Sequence, residues 1–183
     1  MVETKLSSSV TIKQYRVFKA QKNTSRIADL ILERFRERYV DPFENNNSKH
    51  GFSMIAIGCL MVEALHSFKK GWKRTGVKGG EAFDEFFSSS KHLNIFKGVG
   101  EQFYSNIRCG VLHQGETYDG WKITRKGELL DRNNKTVNAT KFLKAIDLEL
   151  QEYFAFLKSE PYDSDSWKKA IKKMDHICTN CNA

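Results

Sequence analysis

Residues 51–70, reading Gly-Phe-Ser-Met-Ile-Ala-Ile-Gly-Cys-Leu-Met-Val-Glu-Ala-Leu-His-Ser-Phe-Lys-Lys, are apolar on almost every side when wound as a helix. A helix with Met54, Ile55, Ile57, Leu60, Met61, Val62, Leu65 and Phe68 spread around its circumference needs neighbours on several sides, as the central member of a bundle has. In so apolar a segment Glu63 and His66 are conspicuous.

The remaining apolar residues recur mostly at helical spacing, and only Pro42 and Pro161 interrupt the chain. A first outer helix starts at a cap of Thr24 or Ser25, buries Ile27, Leu30, Ile31 and Phe35, and ends before Pro42, leaving 41–49 as a polar loop. Phe83, Phe86 and Phe87 mark a short helix over 81–88. Phe103, Ile107 and Val111 mark another over 99–112, with Gly115 placed to end it. Leu143, Ile146, Leu150, Phe154 and Leu157 predict a long helix stopping before Pro161, and Trp167, Ile171, Met174 and Ile177 a last one from Ser164. Residues 121–137 suggest a small hairpin, with turn residues at Lys126-Gly127 and Asn133-Asn134. Residues 1–23 fit strand and helix equally well and are read as an N-terminal extension without a role. The expectation is a mainly α fold: a helical bundle of four to five core helices over 24–160, with a small β-hairpin insertion, and a C-terminal helix and tail over 161–183 packed on the same domain.

At 183 residues one domain is the natural reading. Thirty Lys and Arg against 22 Asp and Glu give +8, which favours polyanionic partners such as nucleic acid, although dispersed, solvated lysines give the same balance. No apolar run of the roughly 18–20 residues that cross a bilayer is expected, nor an apolar signal core at the N-terminus, so no membrane partner is called for and a cytoplasmic protein is expected. Cys59 and Cys109 lie in apolar helical patterns. Cys178-Thr-Asn-Cys181 with His176 offers three ligands where a closed zinc site needs four, so no metal and no cofactor is assigned.

The strongest chemical signal is Arg108-Cys-Gly-Val-Leu-His113, within the segment 103–117. An arginine and a histidine together hold a phosphate and move a proton, the minimum for cleaving RNA without a metal. On a regular helix they point about 140° apart and lie about 7.5 Å apart along the axis. Either the helix distorts at Gly110 or a second copy of the chain completes the pair across a two-fold axis.

A mainly helical chain with Val62-Glu63-Ala64-Leu65 ending its apolar helix and Ile-Arg-Cys-Gly-Val-Leu-His-Gln-Gly-Glu-Thr in a later one resembles the HEPN superfamily. The resemblance covers about residues 24–158. It implies a homodimer paired through the motif helix, and a metal-independent endoribonuclease of toxin–antitoxin or antiphage defence, with an antitoxin protein as a further partner. In that reading His113 takes the proton of a ribose 2′-hydroxyl and Arg108 binds the scissile phosphate. The alternative is a non-catalytic module of the same fold that binds RNA, a nucleotide or a protein. Two departures stand out: Cys109 follows the arginine where active members often carry a strongly polar residue, and Gly115 occupies the position of a tyrosine found in one toxin subgroup, with Tyr118 out of register.

Glu63 either orients the motif arginine or sits at the solvated edge of its helix. Glu63-x-x-His66 also matches half of a di-iron bundle motif, but the chain has no second copy of it. Lys69, Lys70, Lys73 and Arg74 around Trp72 combine charge with a stacking ring, as an RNA-binding surface requires, and equally describe a solvated connector. Lys122, Arg125, Lys126, Arg132 and Lys135 on the hairpin are candidates to extend the same surface.

Overall fold

The computed structural model describes residues 4–44, 48 and 50–181. Helices α1 (Ile12–Ala20), α2 (Thr24–Phe35), α3 (Asp41–Glu44), α4 (Gly51–Lys70), α5 (Gly79–Ser89), α6 (Gly100–Phe103), α7 (Cys109–Gln114), α8 (Ala139–Ser159) and α9 (Asp165–Cys181) are joined by a small sheet between α7 and α8. Helix α4 occupies the centre, packed against α5, α8 and α9. It is long and apolar enough to cross a membrane, contrary to the sequence expectation, with a mean hydropathy of 1.5 over 18 residues, and 56% of that window is buried inside the bundle. Phe83, Phe87, Phe96, Phe103 and Phe142 form a continuous ring cluster beside it, with neighbouring centroids 4.9–5.7 Å apart.

The amphipathic helices lie where periodicity puts them. Helix α8 buries Leu143, Ile146, Leu150 and Leu157, while α9 buries Trp167 and Met174. The Trp167 indole N–H donates to the Leu157 carbonyl at 2.9 Å, fixing the last helix to the preceding one. Residues 161–181 therefore belong to the same core as the bundle.

Four sequence expectations need correction. The segment read as an extension is structural: Thr11 caps α1 through a reciprocal box with Gln14, and Leu6, Val10, Ile12 and Tyr15 are all buried. Asn23, rather than Thr24 or Ser25, caps α2, its side chain accepting from the Arg26 amide at 3.1 Å. Helix α2 does not stop before Pro42. A π turn at Arg36–Val40 carries the chain into α3, and the Asp41 amide bonds five residues back to Arg36 just before the proline that lacks a donor. Of the expected polar loop over 41–49, residues 41–44 are thus helical, and 45–47 and 49 lie outside the described residues.

The insertion is also more than a hairpin. Strands β1 (Lys122–Thr124), β2 (Leu130–Asp131) and β3 (Thr136–Asn138) form one sheet in the order β1-β3-β2. Asn133-Asn134 does turn the antiparallel β2-β3 pair, but Lys126-Gly127 lies in a crossover, because β1 pairs in parallel with β3.

Candidate functional site

The motif helix is continuous from α6 to α7 but widens at a π turn over Tyr104–Arg108, where the Cys109 amide bonds five residues back to Tyr104. The distortion therefore precedes Arg108 and is not at Gly110. Gly110 has a different task. A Cβ there would lie 2.4 Å from the Glu116 carbonyl oxygen, so only glycine lets the chain fold back over this helix after Gly115, whose φ of 72° ends it. The Tyr118 amide then donates to the Asn106 carbonyl at 2.9 Å.

Within a single chain Arg108 Nη1 lies 3.4 Å from His113 Nε2. The helical offset does not separate the pair, because the histidine leans back toward the preceding turn, as helical side chains do, and the long arginine reaches around to it. A second chain is not needed to bring them together. A guanidinium has only donors, so as a hydrogen bond this contact has Arg108 donating toward the His113 ring nitrogen. His113 is exposed, and Arg108 is held from behind.

Glu63 does the holding. Its Oε1 accepts from Arg108 Nε at 2.7 Å and its Oε2 from Thr75 Oγ1 at 3.0 Å, with both charged side chains largely buried. Of the two sequence alternatives for Glu63, orientation of the arginine is the one observed. The Arg108 guanidinium also lies 5.2 Å from the centre of the Tyr104 ring. Burial pulls the guanidinium down, but the hydrogen bond and charge of Glu63 outweigh it and leave Arg108 raised above its ordinary value. Its Nε is occupied and its plane fixed, so the terminal nitrogens are the ones left to face a ligand.

Tyr104 and Thr75 escape a motif search. Tyr104 stands one turn before Arg108, a spacing that would have nominated it for contact. Nothing local in the sequence links Thr75 to Glu63. His66, the other conspicuous residue of α4, is unrelated to this group. Burial drives its pKa down to about 4, and it sits 3.1 Å from Glu85 with its ring edge-on to Trp72.

The basic residues divide into two sets. Lys69 and Lys70 end α4 rather than belonging to the loop: Lys70 pairs with Glu85 at 2.7 Å, and Lys69 is largely buried, 3.8 Å from Glu149 and 5.0 Å from the Phe86 ring centre. Both ammonium groups already have carboxylate partners. Lys73 and Arg74 are exposed and, among the described residues, form no ion pair. With Trp72, Thr75, Lys78 and Lys172 they line an open groove of about 740 Å³. The sheet residues do not extend it. Arg125 packs near Gly51, at the other end of a 20-residue helix about 30 Å long. There Arg132 donates to the Ile95 and Lys97 carbonyls, and Lys135 pairs with Asp119.

Cys178 is buried on α9 and Cys181 is exposed one turn later on the same helix. Compared with known protein families, curated proteins and solved structures, the chain matches none.

Proposed function

We propose that the protein is a cytoplasmic HEPN-type endoribonuclease of toxin–antitoxin or antiphage defence that cleaves RNA without a metal at Arg108 and His113. The observation that carries this reading is the approach of Arg108 Nη1 to Nε2 of the exposed His113, with the arginine held by Glu63. In this reaction His113 Nε2 takes the proton of the ribose 2′-hydroxyl, and the freed oxygen attacks the adjacent phosphorus. The bond from phosphorus to the 5′-oxygen breaks, and that oxygen takes a proton from solvent. The products are a 2′,3′-cyclic phosphate and a 5′-hydroxyl. Arg108 meets the charge that grows on the phosphoryl oxygens through its planar fork.

The working unit in this proposal is a homodimer. Phe52, Leu60 and Leu112 are large apolar side chains exposed at 37–38%. Leu60 lies just under one turn before Glu63 and Leu112 one turn after Arg108. Because Arg108 meets Glu63, Leu60 and Leu112 each stand within about one helical turn of the ion pair.

A fluorescent RNA substrate in excess EDTA tests the chemistry. Wild-type protein should cleave it and leave a cyclic phosphate end, while His113→Ala and Arg108→Ala, both folded, should each be slower by at least about 10²-fold. No cleavage of any structured or unstructured RNA by a folded protein would leave the binding module as the reading to pursue.

A further inference from the structure

From the disposition of unpaired cations we infer that the substrate is single-stranded RNA, and that it approaches Arg108 along the groove between the 71–78 loop and α9, stacking an unpaired base on Trp72. The inference rests on the ribonuclease reading for what happens at the end of the groove, but the groove itself stands on separate observations.

First, several unpaired cations line this one groove. Lys73 and Arg74 on the loop and Lys172 on α9 are exposed and have no carboxylate partner among the described residues; Lys78 has only Glu81, at 3.9 Å. Exposed cations without a carboxylate partner among the described residues also occur at Lys13, Arg16, Lys97, Lys122, Lys126, Lys144 and Lys168, but none of these lines the groove, and Lys69, Lys70 and Lys135 are paired with carboxylates. Second, the loop is built rather than loose. Thr75 is tied to Glu63, Lys173 Nζ donates to the Lys73 carbonyl at 2.7 Å, and the α9 backbone at Lys169 lies so close to Gly71 that a Cβ there would sit 3.1 Å from it. The last helix thus braces the loop and adds Lys172 to its wall. Third, an aromatic surface is presented beside the charges. Trp72 is half-buried, with His66 edge-on at 5.2 Å and the exposed Lys78 ammonium 5.4 Å from its centre. Displacing that side chain toward a phosphate would uncover a ring face for a base.

The groove and the catalytic pair share one carboxylate. Glu63 joins Thr75 to Arg108 through hydrogen bonds of 3.0 and 2.7 Å, so a strand lying against the loop reaches the arginine without crossing the fold. A duplex would offer this surface backbone and groove edges but no free base face for Trp72, since its bases are stacked on one another. An aromatic stacking contact therefore selects unpaired RNA, and the four cations supply sequence-independent affinity.

Binding is measured with the His113→Ala protein, which separates affinity from cleavage, using a fluorescent unstructured RNA oligomer and its duplex over a range of salt. The single strand should bind at least about tenfold more tightly, and Trp72→Ala should remove about 5- to 100-fold of that affinity while leaving duplex binding unchanged. The exposed substitution Lys172→Glu should weaken single-strand binding and reduce the salt slope by about 0.7, the share of one phosphate contact. Lys126→Glu on the sheet should change neither. Equal affinity for strand and duplex, or indifference to both Trp72→Ala and Lys172→Glu, overturns the inference. Selective single-strand binding in a protein whose wild type cleaves nothing supports the groove and defeats the ribonuclease reading instead. Cleavage that both groove variants leave untouched does the reverse.

Discussion

At the residue scale, the arrangement around Arg108 makes Glu63 a positioning residue whose loss is distinguishable from the loss of the arginine. Glu63→Ala leaves a largely buried guanidinium without its carboxylate, at a cost of about 1.5–3 kcal/mol in stability for a hydrogen bond to a charged group. It should also lower the cleavage rate, because the guanidinium plane is no longer fixed. Glu63→Gln retains an acceptor for Nε and should recover part of the rate, which a purely structural role would not require. Arg108→Lys should rescue poorly, since an ammonium has neither the Nε that Glu63 holds nor a second nitrogen for the phosphate. Equal rates in Glu63→Gln, Glu63→Ala and wild type would deny the positioning role. His66 makes a prediction of a different kind. Burial, opposed by Glu85 and reinforced by Lys70, lowers its pKa from 6.5 to about 4. Between those values the unfolded chain binds the proton and the folded chain does not, so stability falls as the pH falls through this window. The full loss, reached below about pH 4, is on the order of 3 kcal/mol. In His66→Gln the urea midpoint should decline less between about pH 7 and about pH 4, with the remaining decline due to carboxylates such as Glu85. Identical profiles for the two proteins would show that His66 carries its proton in the fold.

At the scale of elements, what the sequence made legible follows from how local each signal is. Helices α4, α8 and α9 announce themselves because their apolar residues recur at a period that needs no knowledge of neighbours. The parallel pairing of β1 with β3 could not be seen, since register between strands 14 residues apart depends on where α4 and α8 place their ends. The ambiguous segment around Tyr15 carries a local capping box, Thr11 with Gln14, and is tied into the core by a contact with Asp175, 160 residues away. The motif residues Arg108 and His113 were legible as a pair but not as a contact, because an ideal helix says nothing of how far an arginine bends back. Gly110 ties this local geometry to the site. Gly110→Ala would drive a methyl group into the Glu116 carbonyl, a backbone atom that cannot turn aside, and should cost about 1–3 kcal/mol. The turn that carries His113 would move with it, so cleavage should fall along with the melting temperature. Ser105→Ala, exposed on the same helix, should change stability by less than about 0.5 kcal/mol. Similar melting temperatures for the two variants would show that the returning segment yields without cost.

For the whole molecule, the reason to expect two copies is changed by the structure. Arg108 and His113 diverge on an ideal helix, which left either a distortion at Gly110 or a second copy to unite them, yet they meet in one chain at 3.4 Å without either. What remains is the surface. The outward side of α4 presents Phe52, Ile57 and Leu60 rather than the charged residues usual on a solvated helix face, and α7 adds Leu112 one turn after Arg108. An isologous dimer through this face would bring two copies of the site toward one cleft and shield it from water, which strengthens the charge interactions of Arg108 with phosphate. Light scattering at micromolar concentration should therefore report a dimer. Leu60→Glu combined with Leu112→Glu should yield a folded monomer, because both side chains are already partly in solvent within the chain, and four carboxylates facing one another across the axis oppose association. Cleavage should be lost together with dimerisation, and in Leu60→Glu or Leu112→Glu alone it should return when protein concentration is raised. A wild-type protein that is monomeric and fully active would assign the apolar face another partner and place the complete site within one chain.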